Sequence, residues 1–121
     1  MTAAEFRRLA LSLAGAEERA HGGHPDFRVN GKIFATLGYP DEQFGTLVLS
    51  PEDQSLLVRA HPKAFKPAAG AWGRSGSTSV LLRLAPRRAT EVALEAAWER
   101  RGGAKRRTRS ARAAGRPKDG E

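Results

Sequence analysis

The sequence predicts an α+β fold in which an antiparallel sheet of about four strands carries helices on one face. Apolar residues recur at helical spacing near both ends of residues 1–101, and short β-type segments lie between them. Short connections between strands favour antiparallel pairing. The predicted order of elements is therefore α-β-β-β-α-β-α.

Capping signals mark the predicted helices. Thr2 and Glu5 have the spacing of a capping box, and Ser50 followed by Pro51 is typical of a helix start. The pair Gly102-Gly103 ends the last helix. The predicted helices span residues 2–14, 51–61 and 86–101.

The strands are predicted from β-type segments and turn residues. Asn30-Gly31, between the first two strands, is the strongest hairpin signal in the chain. Residues 15–25 and 63–77 are rich in glycine with proline, and we predict that both are loops. The predicted strands span residues 27–29, 32–37, 45–49 and 79–84.

The net charge of +8 is concentrated at the C-terminus. Residues 100–121 hold nine basic and two acidic residues, whereas residues 1–99 hold 12 basic and 11 acidic residues. The tail has no apolar side chain larger than alanine, which predicts disorder over residues 102–121 beside a domain of residues 1–101. Such a charge balance indicates a polyanionic partner, with nucleic acid before an anionic membrane.

Export and membrane signals are not favoured. No apolar run approaches the roughly 18 residues that a membrane span needs. Arg7-Arg8 before an apolar stretch resembles a short signal sequence, but the capping box and the helical spacing favour an amphipathic first helix. We expect a cytoplasmic protein that does not bind membranes, with a monomer as the favoured state.

Catalytic and metal-binding motifs are weak. The absence of cysteine excludes thiol chemistry and zinc–thiolate sites. No G-x-S-x-G, S-x-x-K or phosphate-loop pattern is present, so we expect a protein without enzymatic activity or cofactor. His21, His24 and Asp26 carry ligand atoms, but the loop lacks a third histidine, and packing of this loop against the sheet is favoured over a metal site. His61 is expected to cap a helix.

Trp72 stands among cations in the predicted loop 63–77. An aromatic ring interleaved with cations can stack on a base while the cations meet phosphates. The alternative is that Trp72 anchors the loop in the core. Arg83 is placed on the last strand, where Leu82 and Leu84 are expected to face inward. The domain residues predicted to contact DNA are Lys63, Lys66, Trp72, Arg74 and Arg83.

The tail is predicted to add DNA contacts from Arg106, Arg107, Arg109 and Arg116. Gly115-Arg116-Pro117 resembles the core of an AT-hook, which inserts into the minor groove, but Ala114 stands where a basic residue is expected. The alternative is a generic basic tail. Either would contribute salt-dependent, sequence-indifferent affinity.

Two stretches together resemble the MmcQ/YjbR family of small bacterial proteins. They are HGGHPDFRVNGKIFATL, from His21 to Leu37, and AWGRSGSTSVLLRL, from Ala71 to Leu84. The resemblance covers about residues 2–101. It implies a fold like that of the frataxin/CyaY group and a DNA-binding role through a double-wing arrangement, without an agreed set of contact residues.

The leading hypothesis is a DNA-binding protein that makes mostly sequence-indifferent phosphate contacts. The alternative is a small-ligand or protein-interaction module. Its pocket would be formed by His21, His24, Phe27 and Trp72, with apolar walls and few polar groups. In that case the tail would aid solubility or bind RNA.

Overall fold

The computed structural model describes residues 1–104, and residues from Lys105 onward lie outside the described residues. The helices are α1 (Ala3–Leu11), α2 (Pro51–Ala60), α3 (Gly70–Arg74) and α4 (Arg87–Arg100). The strands are β1 (Glu17–His21), β2 (His24–Val29), β3 (Lys32–Leu37), β4 (Phe44–Val48), β5 (Phe65–Pro67) and β6 (Ser77–Leu81). A short 3₁₀ helix (Leu82–Leu84) follows β6.

The six strands form one antiparallel sheet in the order β1-β2-β3-β4-β6-β5. α4 packs on β3 and β4, whereas α2 packs on β5 and β6. Because α4 also contacts α1 and α2, these helices form one layer over one face of the sheet. The predicted α+β fold is confirmed, with six strands instead of about four.

Local signals start the helices as predicted. The Thr2 hydroxyl accepts a hydrogen bond from the Glu5 amide at 3.1 Å, and the Glu5 carboxylate accepts one from the Thr2 amide at 2.8 Å. The Ser50 side chain caps α2 by accepting from the Asp53 amide. His61 is the C-cap of α2, where its amide donates to Leu57.

Three predicted boundaries are wrong. The predicted loop 15–25 contains β1 and the start of β2, which are joined by a tight turn at Gly22-Gly23. The predicted loop 63–77 contains β5 and α3. The predicted strand 79–84 begins at Ser77 and ends at Leu81.

The core lies between the sheet and the helical layer. Its largest fully buried side chains include Trp98, Phe6 and Phe65. Phe6 on α1 reaches β4 at Gly45, where an added Cβ would lie 3.1 Å from the Phe6 ring. Close approach of helix and sheet therefore favours glycine at this position, since a larger residue would push the Phe6 ring aside.

Candidate nucleic-acid interface

One continuous part of the chain carries basic residues without any acidic ones. Between Asp53 and Glu91 the sequence holds seven arginines and lysines and no aspartate or glutamate. This segment folds into most of α2, then β5, α3, β6, the 3₁₀ helix and the first turn of α4. The folded domain is therefore electrically asymmetric, although the net charge of residues 1–99 is only +1.

Four cations of this segment line the β5 side of the sheet, and we call them the basic edge: Lys63, Lys66, Arg74 and Arg83. β5 is the last strand of the sheet and pairs only with β6. Lys66 lies opposite Ser79 on β6. All four side chains are exposed, and within residues 1–104 none of them forms an ion pair.

The basic edge is extended along the strand direction. The Leu81 amide donates to the Ala64 carbonyl at 2.8 Å, which brings Lys63 close to the residues that follow β6. Lys63 and Arg83 therefore lie at one end of β5, Lys66 lies on the strand, and Arg74 follows its other end. The four cations form a row along one side of the protein, which fits an elongated polyanion better than a compact one.

Arg83 differs from its predicted setting. It lies in the 3₁₀ helix and not on a strand, because β6 ends at Leu81. Leu82 is buried as expected, but Leu84 is 42% exposed, so the inward-facing pair predicted around Arg83 is wrong for Leu84.

Trp72 lies on the surface of α3. Its side chain is 72% exposed, the highest value among the large apolar side chains of residues 1–104. The core position of this segment is taken by Gly73 on α3 and by Phe65 on β5, both of them buried. The alternative role of Trp72 as a core anchor is therefore wrong, and Phe65 has that role.

α3 is fixed to the rest of the domain by a buried glutamine that no sequence motif marks. The Gln54 side chain on α2 donates to the carbonyls of Gly73 and Ser77, both at 2.9 Å. The Ala68 amide also donates to Ser77 at 2.9 Å. These bonds satisfy carbonyls on both sides of the α3–β6 connection.

The other edge of the sheet carries paired charges. Arg7 on α1 donates to both carboxylate oxygens of Glu18 at 2.9 and 3.0 Å. Arg28 on β2 donates to both carboxylate oxygens of the buried Asp26 at 2.8 and 3.1 Å. Hydrogen bonding to these carboxylates raises the pKa of each guanidinium. Both arginines are engaged within the domain, in contrast to the basic edge.

The four residues of the predicted ligand pocket are not brought together. His21 and His24 pair across the β1–β2 hairpin at one edge of the sheet, whereas Trp72 follows β5 at the opposite edge. Phe27 is fully buried in the core. The two motifs lie far apart because four strands separate β1 from β5.

A different cavity lies in the helical layer. It is a groove of about 550 Å³ between α2 and α4, and its apolar lining includes Leu56 and Val92. Asp53, His61 and Arg88 are its polar members. The groove contains none of the predicted site residues.

The loop histidines do not form a metal centre with their neighbours. The His21 Nδ1 atom lies 4.0 Å from a carboxylate oxygen of Asp26, whose two oxygens are already bound by Arg28. Across residues 1–104 no three potential ligands lie within reach of one metal ion.

The predicted tail contacts Arg106, Arg107, Arg109 and Arg116 lie outside the described residues, but the point from which the tail leaves the domain is defined. The amides of Gly102 and Gly103 donate to the carbonyls of Glu99 and Trp98 at 3.0 and 2.9 Å. An added Cβ at Gly102 would lie 2.8 Å from the Asn30 side chain. The chain therefore leaves beside the β2–β3 turn.

The tail exit and α3 lie at the same end of the sheet. The β2–β3 turn leads into β3, and α3 leads into β6. Because β3 and β6 are both antiparallel to β4, they run in the same direction and begin at the same end of the sheet. β3 and β6 are separated by one strand, β4, or about 10 Å at the usual spacing of strands. A single extended ligand can therefore meet both.

No helix within residues 1–104 has the length and apolar character needed to cross a lipid bilayer.

The fold and the basic edge define a small α+β protein with one cationic side. A model of the YjbR family matches residues 11–100, and the chain belongs to this family. The fold is similar to that in the crystal structure of Deinococcus radiodurans protein DR2400, which contains a DUF419 domain. The TM-score is 0.68 at 18% identity, covering 80% of this chain and 75% of that chain. Among curated proteins no relative matches.

Proposed function

We propose that this protein binds DNA without enzymatic activity, through phosphate contacts made by the basic edge and the C-terminal tail. The observation that carries the proposal is the acid-free segment between Asp53 and Glu91, which supplies the four unpaired cations of the basic edge. Cations without carboxylate partners are free to replace the counterions of a phosphate backbone. The contacts are sequence-indifferent, because phosphates carry no base identity.

The spacing of the cations supports a backbone ligand. Lys63 lies in the turn before β5, where the Phe65 amide donates to the His61 carbonyl at 3.0 Å, whereas Lys66 lies on the strand and Arg74 follows it. The cations are thus distributed along the edge of the sheet, so they meet different phosphates of one backbone. A small anion would contact only one or two members of the row.

The tail extends the same binding surface. It begins beside the β2–β3 turn, at the end of the sheet that also carries α3. Residues 105–121 contain seven basic residues and, fully extended, span up to about 60 Å. They can therefore follow a DNA strand that also lies on the basic edge.

Charge reversal at Lys63 and Lys66 tests the basic edge. The K63E/K66E variant is expected to bind a DNA duplex at least about tenfold more weakly and to lower the slope of log K against log salt by about two. Fluorescence anisotropy over a salt series measures both quantities.

The matched control is R8E/R19E. Arg8 lies on α1 and Arg19 on β1, the edge strand opposite β5, and both are exposed and outside the acid-free segment. Arg19 has only an exposed ion pair with Glu17 at 3.5 Å, and the double reversal changes the net charge equally. The control is expected to retain most of the affinity. Equal losses in both variants would indicate attraction by net charge alone, against the proposed edge.

Removal of the tail tests its share of the binding. A variant ending at Ala104 is expected to show a flatter salt dependence, because seven basic residues are lost. Truncation at this point keeps the α4 cap formed by Gly102 and Gly103, so stability is expected to be unchanged. An unchanged slope of log K against log salt would assign the phosphate contacts to the folded domain. Absence of DNA binding by the full chain at low salt would refute the proposed function.

A further inference from the structure

The exposure of Trp72 has no explanation in packing. Of the two tryptophans, Trp98 is 2% exposed and Trp72 is 72% exposed. The buried position on α3 belongs to Gly73, whose neighbour Trp72 is rotated about 100° away around the helix. Tryptophan is enriched at interfaces, because its ring supplies a large apolar contact area together with a polar N–H group, so the exposed ring is a candidate for recognition.

The backbone that carries Trp72 is firmly held. Gln54 binds the Gly73 and Ser77 carbonyls on either side of the α3–β6 turn, and an added Cβ at Gly76 would overlap the carbonyl group of Leu49. The Ser75 hydroxyl donates to the Ala71 carbonyl at 3.0 Å. The indole ring is thus presented on an ordered support, which lowers the entropy lost on binding.

The chain before and after the ring is cationic. Lys66 lies six residues before Trp72 and Arg74 two residues after it, and both are exposed. No acidic residue occurs between these three positions. Arg74 leaves α3 about 200° around the helix from Trp72, so the two side chains can contact different parts of one strand. An aromatic side chain between cations is the arrangement used for bases that stack while their phosphates are neutralised.

The faces of the bases decide which form of DNA fits. In a duplex each base face is covered by its neighbours in the stack, whereas unpaired bases offer free faces. We propose that the basic edge prefers single-stranded DNA, with Trp72 stacking on an unpaired base and Lys66 and Arg74 contacting the flanking phosphates. This inference rests on the proposed DNA binding and adds the form of DNA that is bound.

The test compares the full-length protein with an oligothymidine and with a duplex, each of about 20 nucleotides per strand. The oligothymidine is expected to bind more tightly and to quench the emission of Trp72, while buried Trp98 stays unaffected. The W72A variant is expected to lose about 5- to 150-fold in affinity for the oligothymidine, which corresponds to one stacked base, and W72F to lose less. Duplex binding is expected to change little.

The matched control is Y39A, because Tyr39 is 59% exposed and lies outside the acid-free segment. Equal binding of both DNA forms, or a loss in Y39A as large as in W72A, would overturn the single-strand inference and leave DNA binding intact. Tighter binding of oligouridine than of oligothymidine would overturn the choice of DNA. Absence of binding to every nucleic acid would refute both proposals.

Discussion

Replacement of Gly73 by alanine is expected to destabilise the domain by at least about 2 kcal/mol. An added Cβ would overlap the Ala68 carbonyl oxygen and lie 2.8 Å from its carbon, and both atoms belong to the backbone. The clash is relieved only if α3 moves away from Ala68, whose amide is held by the Ser77 carbonyl at 2.9 Å. Such a shift strains the hydrogen bond from Gln54 to the Gly73 carbonyl. Urea denaturation followed by circular dichroism measures the loss.

Gly70→Ala is the matched control for this substitution. Gly70 has a positive φ of 70°, but an added Cβ would meet no atom within 4 Å. Its replacement is expected to cost about 1 kcal/mol, from backbone strain alone. A G73A variant as stable as G70A would contradict the role of Gly73 in seating α3. If α3 carries the stacking ring, G73A also weakens binding of the oligothymidine.

Local signals predicted several elements because these elements depend on neighbouring residues. The capping box of Thr2 and Glu5 and the Ser50 cap each form within four residues of sequence. The turn at Asn30-Gly31 is similar, with positive φ angles of 54° and 75° at the two residues. Hydrogen bonds and turn chemistry of this range can be inferred without knowing the fold.

The elements that were not predicted from the sequence depend on pairing with distant residues. β1 has the sequence EERAH and is exposed throughout, so no apolar alternation marks it, and it is a strand because β2 pairs with it. β5 has three residues and includes Pro67. α3 contains two glycines in five residues, which is a poor helix sequence that tertiary packing stabilises.

The candidate site could be predicted only in part for the same reason. Lys63, Lys66, Arg74 and Arg83 can be recognised singly in the sequence as cations near an aromatic residue, but their alignment requires β5 to pair with β6. The acid-free segment is visible in the sequence. Its positive charge is hidden in the net charge of residues 1–99, because the acidic residues on both sides of the segment cancel it. The proposed grouping of His21 with Trp72 failed because strand order, which places them at opposite edges, is not encoded in any short motif.

Replacement of Trp98 by alanine is expected to cost about 3–5 kcal/mol. Trp98 is 2% exposed and is the largest fully buried side chain of the described residues. Its Nε1 donates to the Ala14 carbonyl at 2.8 Å, and the Gly103 backbone packs so closely that an added Cβ would lie within 2.5 Å of Nε1. The ring thus connects the end of α1 with the chain that leads into the tail. Urea denaturation followed by circular dichroism measures the loss.

Trp98→Phe separates the volume of the ring from its hydrogen bond. Phenylalanine keeps most of the apolar contacts but cannot donate to Ala14, so the W98F variant is expected to lose clearly less stability than W98A. Both variants, while folded, are expected to bind the duplex through Lys63 and Lys66 as before, because Trp98 lies in the core and these lysines lie on the surface. A stability loss below about 1 kcal/mol in W98A would show that the ring is not the main packing contact of α4. A loss of affinity in folded W98A would instead show that DNA binding depends on the packing of Gly103 against the ring, where the chain leads into the tail.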